Sequence, residues 1–360
     1  MAKHQIFLIH GMGNFEPGWS GGIQKQMTDL FGKYQAFRDE GFANDFEFKE
    51  ITYNQVFEAW RKQWKEDAAK AAEGLVADGL MKNSVAGQLV SLASSPSGDG
   101  FLRTHVMDVV AYRFLLPMAQ EVWRSVQNQI LGCLKALPKD DAIHYSIISH
   151  SLGTAVAYEA FHAMMTVGDG DPGAPLGTAF RPDNVFMLSN VVKPLWNRGA
   201  VVYQPVMAPS LSVANGWCFR MANFGHTLDP FARVDKFNPP DDWFAQMAPK
   251  SRVYQDVAIP AADLQDPNVH AFEHYLGHPM VHVPILRTLA GFQEAVTPAE
   301  LSAALVQWRS KSLSQTALIK AQDKLKAMAT NATGDWGKEI NMLLALRELA
   351  LASKLKDGES

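Results

Sequence analysis

The chain has 360 residues, 47% of them hydrophobic and 19% charged, with a formal net charge of -4. That length buries one large core, or a core with a smaller attached unit, and the composition is that of an ordinary soluble globular protein. The slight negative charge gives no basic patch for nucleic acid and no polybasic membrane anchor, and no apolar stretch reaches the length of a bilayer span, so neither partner is expected. Cys133 and Cys218 are too few for a disulfide framework and lack the spacing of a metal site; both read as buried free thiols in apolar surroundings. Met1 to His4 runs straight into a strand without the pattern of a secretory leader, so a cytoplasmic location is expected.

Gln5 to Ile9 (QIFLI) has the unbroken apolar character of a central parallel strand, and a glycine-rich loop, His10-Gly11-Met12-Gly13-Asn14, follows at once. Gly21 to Gly32 reads as a helix, and Phe46 to Tyr53 alternates like a second strand. From Gln55 to about Ala93 the pattern is helical and alanine-rich, ending in the most loop-like segment of the chain, Ser94 to Gly100. A long helix is expected from about Thr104 to Leu137, interrupted near Pro117. Ala142 to Ile148 forms the next strand, and a helix follows it after five residues. Beyond a glycine- and proline-rich loop at Gly168 to Gly177 come strand candidates at Asn184 to Ser189, Trp217 to Ala222 and Arg252 to Ala258. From Pro298 onward the pattern is helical, with a turn expected at Asn331 to Gly334, and there is no internal repeat. Strands alternating with helices over this length predict an α/β fold with a mostly parallel central sheet covered by helices on both faces. The expected organisation is one α/β domain over residues 1–297, with a helical insertion at about 55–103, and a helical extension over 298–360.

The five residues between the third strand and its helix are Ser149-His150-Ser151-Leu152-Gly153. A strand-to-helix turn this tight strains the backbone of its central serine and lifts the hydroxyl clear of the sheet, which is the setting of a nucleophile elbow. It tolerates only small residues two before and two after the serine, and Ser149 and Gly153 satisfy that. The bland alternative is an exposed Ser-Gly turn that merely opens a helix. Against it stands the loop after the first strand, whose exposed amides at His10-Gly11-Met12-Gly13 suit the oxyanion formed when a serine attacks a carbonyl. The amides of Met12 and Leu152 are the candidates for that hole, Leu152 because it follows Ser151 and starts a helix.

A serine nucleophile needs a base, and the base needs an orienting carboxylate. Asp229 follows the fifth strand candidate in an Asp-Pro turn and is the candidate acid, with Asp235 its nearest competitor and a turn-capping role its plain alternative. After the last strand candidate, His270 ends a polar loop and His274 lies one helical turn later. A base must project from the loop above the sheet, which favours His270 and leaves His274 a stacking role inside the helix. His270, His274, His278 and His282 recur every four residues, yet Pro279 breaks a continuous helix and no carboxylate or cysteine set matches them, so no metal is expected.

With those residues in hand, the stretch from about Gln5 to Ala290 resembles the α/β-hydrolase superfamily, in particular its lipase- and esterase-like members. The resemblance rests on HGMG at 10–13, SHSLG at 149–153, and the Asp229 and His270 loops. It implies a sheet shortened at its N-terminal side to about six strands. It also implies hydrolysis of carboxylic esters through an acyl-enzyme on Ser151, with no cofactor, on a small-molecule or lipid ester. An acyltransferase or thioesterase on the same scaffold, or a non-catalytic interaction protein retaining the fold, are the alternatives. The insertion, small and apolar in its middle, is either a mobile lid for acyl chains or a set of helices packed on the sheet. The C-terminal helices are a possible surface for homo-oligomerisation.

Overall fold

The computed structural model describes residues 4–13, 15–39, 45–63, 107–137, 143–167, 176, 180–196, 201–212, 216–229, 231–232, 235–244, 249–265, 268–291 and 293–312. Six strands form one sheet, all parallel: β1 His4–Ile9, β2 Phe46–Ile51, β3 His144–His150, β4 Asn184–Leu188, β5 Arg220–His226 and β6 Tyr254–Ile259. Their order across the sheet is β2-β1-β3-β4-β5-β6. The fold is therefore α/β, as the alternating pattern predicts.

Strand burial follows this order. β1 and β4 are buried at every position, as interior strands covered on both faces must be, while the edge strands β2 and β6 keep exposed or half-buried residues at most inner positions. The helices are α1 Gly21–Phe31, α2 Gln35–Asp39, α3 Met107–Phe114, α4 Leu116–Lys135, α5 Leu152–Val167, α6 Val192–Leu195, α7 Lys250–Val253, α8 Phe272–Gly277, α9 Pro279–Ala290 and α10 Pro298–Arg309. Two hydrophobic layers hold them. On one face α4, α5 and α6 pack through Val122, Trp123, Val126, Val156, Tyr158, Phe161 and Leu195. On the other, α1, α8 and α9 pack through Met27, Leu30, Tyr275, Leu276, Val281 and Ile285.

The interruption expected near Pro117 is present: the chain forms two helices, α3 and α4, parted at Leu115, because Pro117 lacks the N–H a continuous helix would need and instead sits in the first turn of α4. One strand expectation needs correction. The fifth strand is Arg220–His226, displaced toward the C-terminus from Trp217–Ala222. Apolar Trp217 and Cys218 lead into it, the Cys218 carbonyl accepting from the Ser210 N–H rather than from a neighbouring strand. Cys218 is buried as expected, but Cys133 is only half-buried. Residues 54–63 are helical at the start of the insertion expected at about 55–103, and the rest of that insertion lies outside the described residues, as does the turn expected at 331–334.

The chain reverses its direction of travel across the sheet after β1: β2 lies on one side of it and β3 on the other. In open parallel sheets that switch point leaves a crevice at the carboxyl ends of the two strands, because the helices that follow leave on opposite faces. The loop His10-Gly11-Met12 and Ser151 both sit there.

Candidate active site

Ser151 has φ 54°, a left-handed conformation that an L-residue with a Cβ reaches only under constraint. The constraint comes from both sides. Its N–H donates to the Leu188 carbonyl at the end of β4 (3.0 Å), and its carbonyl accepts from the Thr154 N–H as α5 begins (2.9 Å). The closeness of strand and helix is measurable at Gly153, where a Cβ would stand 2.2 Å from the His10 carbonyl oxygen and 2.7 Å from that of Ile9. No side chain fits. Gly11 is as tight against the serine itself, since a Cβ there would lie 2.9 Å from the Ser151 Cβ. Ser149, by contrast, is accommodated, its hydroxyl donating to the Phe186 carbonyl (3.3 Å).

Ser151, His270 and Asp229 are brought into one hydrogen-bonded line. Asp229 lies past β5 in a turn closed by its own N–H to the His226 carbonyl (3.0 Å), and His270 ends the loop before α8. His270 Nδ1 is 2.9 Å from Asp229 Oδ2, and His270 Nε2 is 2.7 Å from Ser151 Oγ. A carboxylate can only accept, so Nδ1 carries the proton and Nε2 offers its lone pair to the serine hydroxyl. That is the tautomer a general base requires. The three side chains are all buried, Ser151 to 2% exposure.

Asp229 is held by more than the histidine. Its Oδ2 also accepts from the Ser189 hydroxyl (2.6 Å) and the Tyr275 hydroxyl (2.7 Å), while Oδ1 accepts from the Phe231 N–H (3.0 Å). Burial alone would push this carboxyl upward; the neighbouring His270 and the donors His270, Ser189 and Tyr275 outweigh it and hold the pKa down at about 2. Asp229 is thus a carboxylate with no fixed cation paired to it among the described residues.

Neither Ser189 nor Tyr275 was legible as a site residue. Ser189 follows β4 directly with φ 50°, a second strained serine, and its Oγ also lies 3.0 Å from His270 Nδ1. Tyr275 comes from α8, and its oxygen accepts the His226 N–H (2.9 Å) while donating to Asp229, tying the acid loop to the helix that follows the base. The one available signal for Tyr275 was its place five residues after the candidate histidine.

The remaining candidates fall elsewhere. His274 does not reach Ser151: its ring meets those of His226 and Trp308, both 5.7 Å away by centroid. Asp235 pairs with Lys193 (2.6 Å) at a partly exposed position. His278 caps α9 by accepting the Met280 N–H (3.1 Å), and His282 is bonded to Tyr34 (2.6 Å). The four-residue repeat of histidines therefore does not define one face, and no group of three or more metal-binding side chains occurs among the described residues.

Of the two amides expected in the oxyanion hole, that of Met12 follows Gly11, which abuts Ser151, and that of Leu152 opens α5; neither donates to another described residue. The loop that carries Met12 is pinned by aromatic packing. His10 stacks on Tyr53 (4.2 Å), its Nδ1–H donates to the Gly11 carbonyl (2.7 Å), and the Tyr53 hydroxyl donates to the carbonyls of His10 (2.7 Å) and Gly11 (3.0 Å). Burial first of all lowers the His10 pKa to about 4, so this ring is neutral and structural.

No protein-family model and no curated protein matches the chain. Among solved structures it is similar to a novel cutinase-like protein from Cryptococcus sp., at 10% identity over 86% of this chain and 97% of that one, with a TM-score of 0.26. It is also similar to an uncharacterized protein from Pseudomonas aeruginosa, at 11% identity over 95% of this chain and 52% of that one, with a TM-score of 0.33. Likenesses this loose carry no argument about this chain's chemistry. No described helix is long and apolar enough to cross a membrane.

Proposed function

We propose that the chain is a serine hydrolase of the α/β-hydrolase type that cleaves carboxylic esters through an acyl-enzyme on Ser151. The observation that carries the reading is the unbroken line Ser151 Oγ–His270 Nε2 (2.7 Å) and His270 Nδ1–Asp229 Oδ2 (2.9 Å), met at a strained strand-to-helix turn. The chain order Ser, Asp, His is the one expected where the nucleophile ends a central strand and its partners follow later ones.

In this reading the Ser151 hydroxyl gives its proton to His270 Nε2 as Oγ bonds to the ester carbonyl carbon. The imidazolium so formed sits against the Asp229 carboxylate. The oxyanion is received by the Met12 and Leu152 amides, the latter at the positive end of α5. As the carbonyl reforms, the alkoxide leaves with the proton from His270, and an acyl group remains on Oγ. Water, deprotonated by the same nitrogen, then releases the carboxylic acid and restores the serine. Every step is a proton transfer or an acyl transfer, and neither requires a cofactor. The substrate is a small-molecule or lipid ester.

The test is hydrolysis of p-nitrophenyl esters of two to twelve acyl carbons by the purified chain. A burst of one p-nitrophenol per chain, followed by slower turnover and absent in Ser151→Ala, is the expected result. Turnover surviving in Ser151→Ala would overturn the reading.

A further inference from the structure

The residue between the two serines of the elbow has no role in the mechanism above, yet it is buried against the base. His150 Nε2–H donates to the main-chain carbonyl of His270 (2.7 Å), a direction fixed because a carbonyl can only accept. Its ring lies 5.0 Å from the His270 ring and stacks nearly parallel on Phe272 (5.1 Å, 16°), with Tyr275 on a further side at 6.2 Å. On its remaining side Gly11 comes so close that a Cβ there would stand 3.1 Å from His150 Nδ1. Burial, followed by the neighbouring His270, lowers the His150 pKa to about 3, so the ring stays neutral and its N–H remains a donor.

We infer that His150 is the positioning residue for the base, setting the distance between Ser151 and His270; this rests on the proposed serine-hydrolase reading. The residues on either side of one peptide bond hold the two ends of His270. Ser151 Oγ meets its imidazole and His150 grips its carbonyl, so elbow and base loop move as one body. Within this loop the Ala271 N–H donates to the Asn268 carbonyl (3.1 Å) and the Tyr275 N–H to the Ala271 carbonyl (3.1 Å), and the His150 bond ties its His270 carbonyl to the elbow. A base displaced by about 1 Å costs on the order of 100-fold in rate. His150 touches neither substrate nor the reacting atoms and acts through His270 alone.

Three variants read this out. His150→Phe keeps the ring and its stacking but removes the donor. His150→Gln carries an N–H at the position of the imidazole Nε2, and His150→Asn carries one too short to reach the carbonyl. Turnover of p-nitrophenyl butyrate and the rate of Ser151 labelling by a fluorophosphonate are measured together with thermal melting. The expected result is a fall in kcat of about 10- to 100-fold for Phe and Asn with KM within about twofold, a parallel fall in labelling rate, and Gln within about fivefold of the parent. Should the Phe variant not fold, the contrast of Gln with Asn still decides. Parent-like kcat and labelling in the Asn variant, or in a folded Phe variant, would overturn the inference. A parent chain that neither labels nor turns over esters would instead overturn the hydrolase reading beneath it.

Discussion

Among the described residues, two buried aspartates each face a histidine, and the proposed reading gives chemistry to only one of the pairs. Asp229 meets His270 at 2.9 Å, and Asp263 meets His278 at 3.4 Å. Asp263 is also bound by the Arg309 guanidinium through both oxygens (2.8 and 3.2 Å), and its histidine spends the other ring nitrogen capping α9. A permanent cation thus neutralises that carboxylate, and its imidazole has no lone pair to spare. Asp229 has hydroxyl and amide donors but, among the described residues, no fixed cation, and the other nitrogen of its histidine is turned to a serine. An Asp–His pair acquires acid–base competence from what occupies the second nitrogen and from whether the carboxylate's charge is already spent.

Substitutions in the two pairs separate them sharply. Ser151→Ala and His270→Ala should each lower ester kcat by about 10⁴-fold or more, whereas His278→Ala should leave it within about fivefold and lower the melting temperature. Asp229→Asn should cost about 10³- to 10⁴-fold in kcat with the fold kept, because an amide disrupts the Nδ1–H tautomer. Asp263→Asn should instead cost about 1–2 kcal/mol of stability by urea unfolding, with little effect on kcat. Gly153→Ala should lower stability by about 3 kcal/mol or more, since the new Cβ has the His10 carbonyl at 2.2 Å and no flexible side chain to displace.

Acid is the gentlest way to compare the two regions, and it acts on several imidazoles at once. His10 and His278 are held at about 4, and His150, His226 and His282 at about 3, in each case chiefly by burial. These folded-state values lie below that of an unfolded histidine, about 6.5. The unfolded chain therefore binds more protons, and the stability these rings provide, complete above about pH 6.5, declines as the pH falls toward 4. Asp229 adds its own loss lower down, between the unfolded carboxyl value of about 3.9 and its folded value of about 2. Urea midpoints measured from pH 7.5 to 4.5 should fall continuously, and a flat profile would contradict the neutral state assigned to these rings.

Much of the fold could be read in the sequence because it depends on local pattern. QIFLI and the apolar run before Ser149 announce interior strands, and the glycine at 153 is demanded by a single close approach. β5 was harder. Trp217 and Cys218 have the apolar character of a strand, while its true second half is Asn223-Phe224-Gly225-His226, with two residues that propensity assigns to turns. Pairing with β4 and β6 overrides that preference. The choice of His270 over His274 rested on one idea, that a base projects from a loop rather than from within a helix, and α8 does begin only at Phe272. Ser189, Tyr275 and the grip of His150 on a carbonyl 120 residues away arise from tertiary contacts that no local pattern encodes.

The central claim is that Ser151 is a nucleophile activated by His270. Intact-mass and peptide mapping after treatment with a fluorophosphonate tests it most directly, because Ser151 Oγ would bond to phosphorus as fluoride leaves. The account predicts one adduct per chain, located on Ser151, lost in Ser151→Ala, slowed about 10³-fold or more in His270→Ala and unchanged in His274→Ala. A folded parent chain that takes up no adduct, or one whose adduct persists in Ser151→Ala, would contradict it.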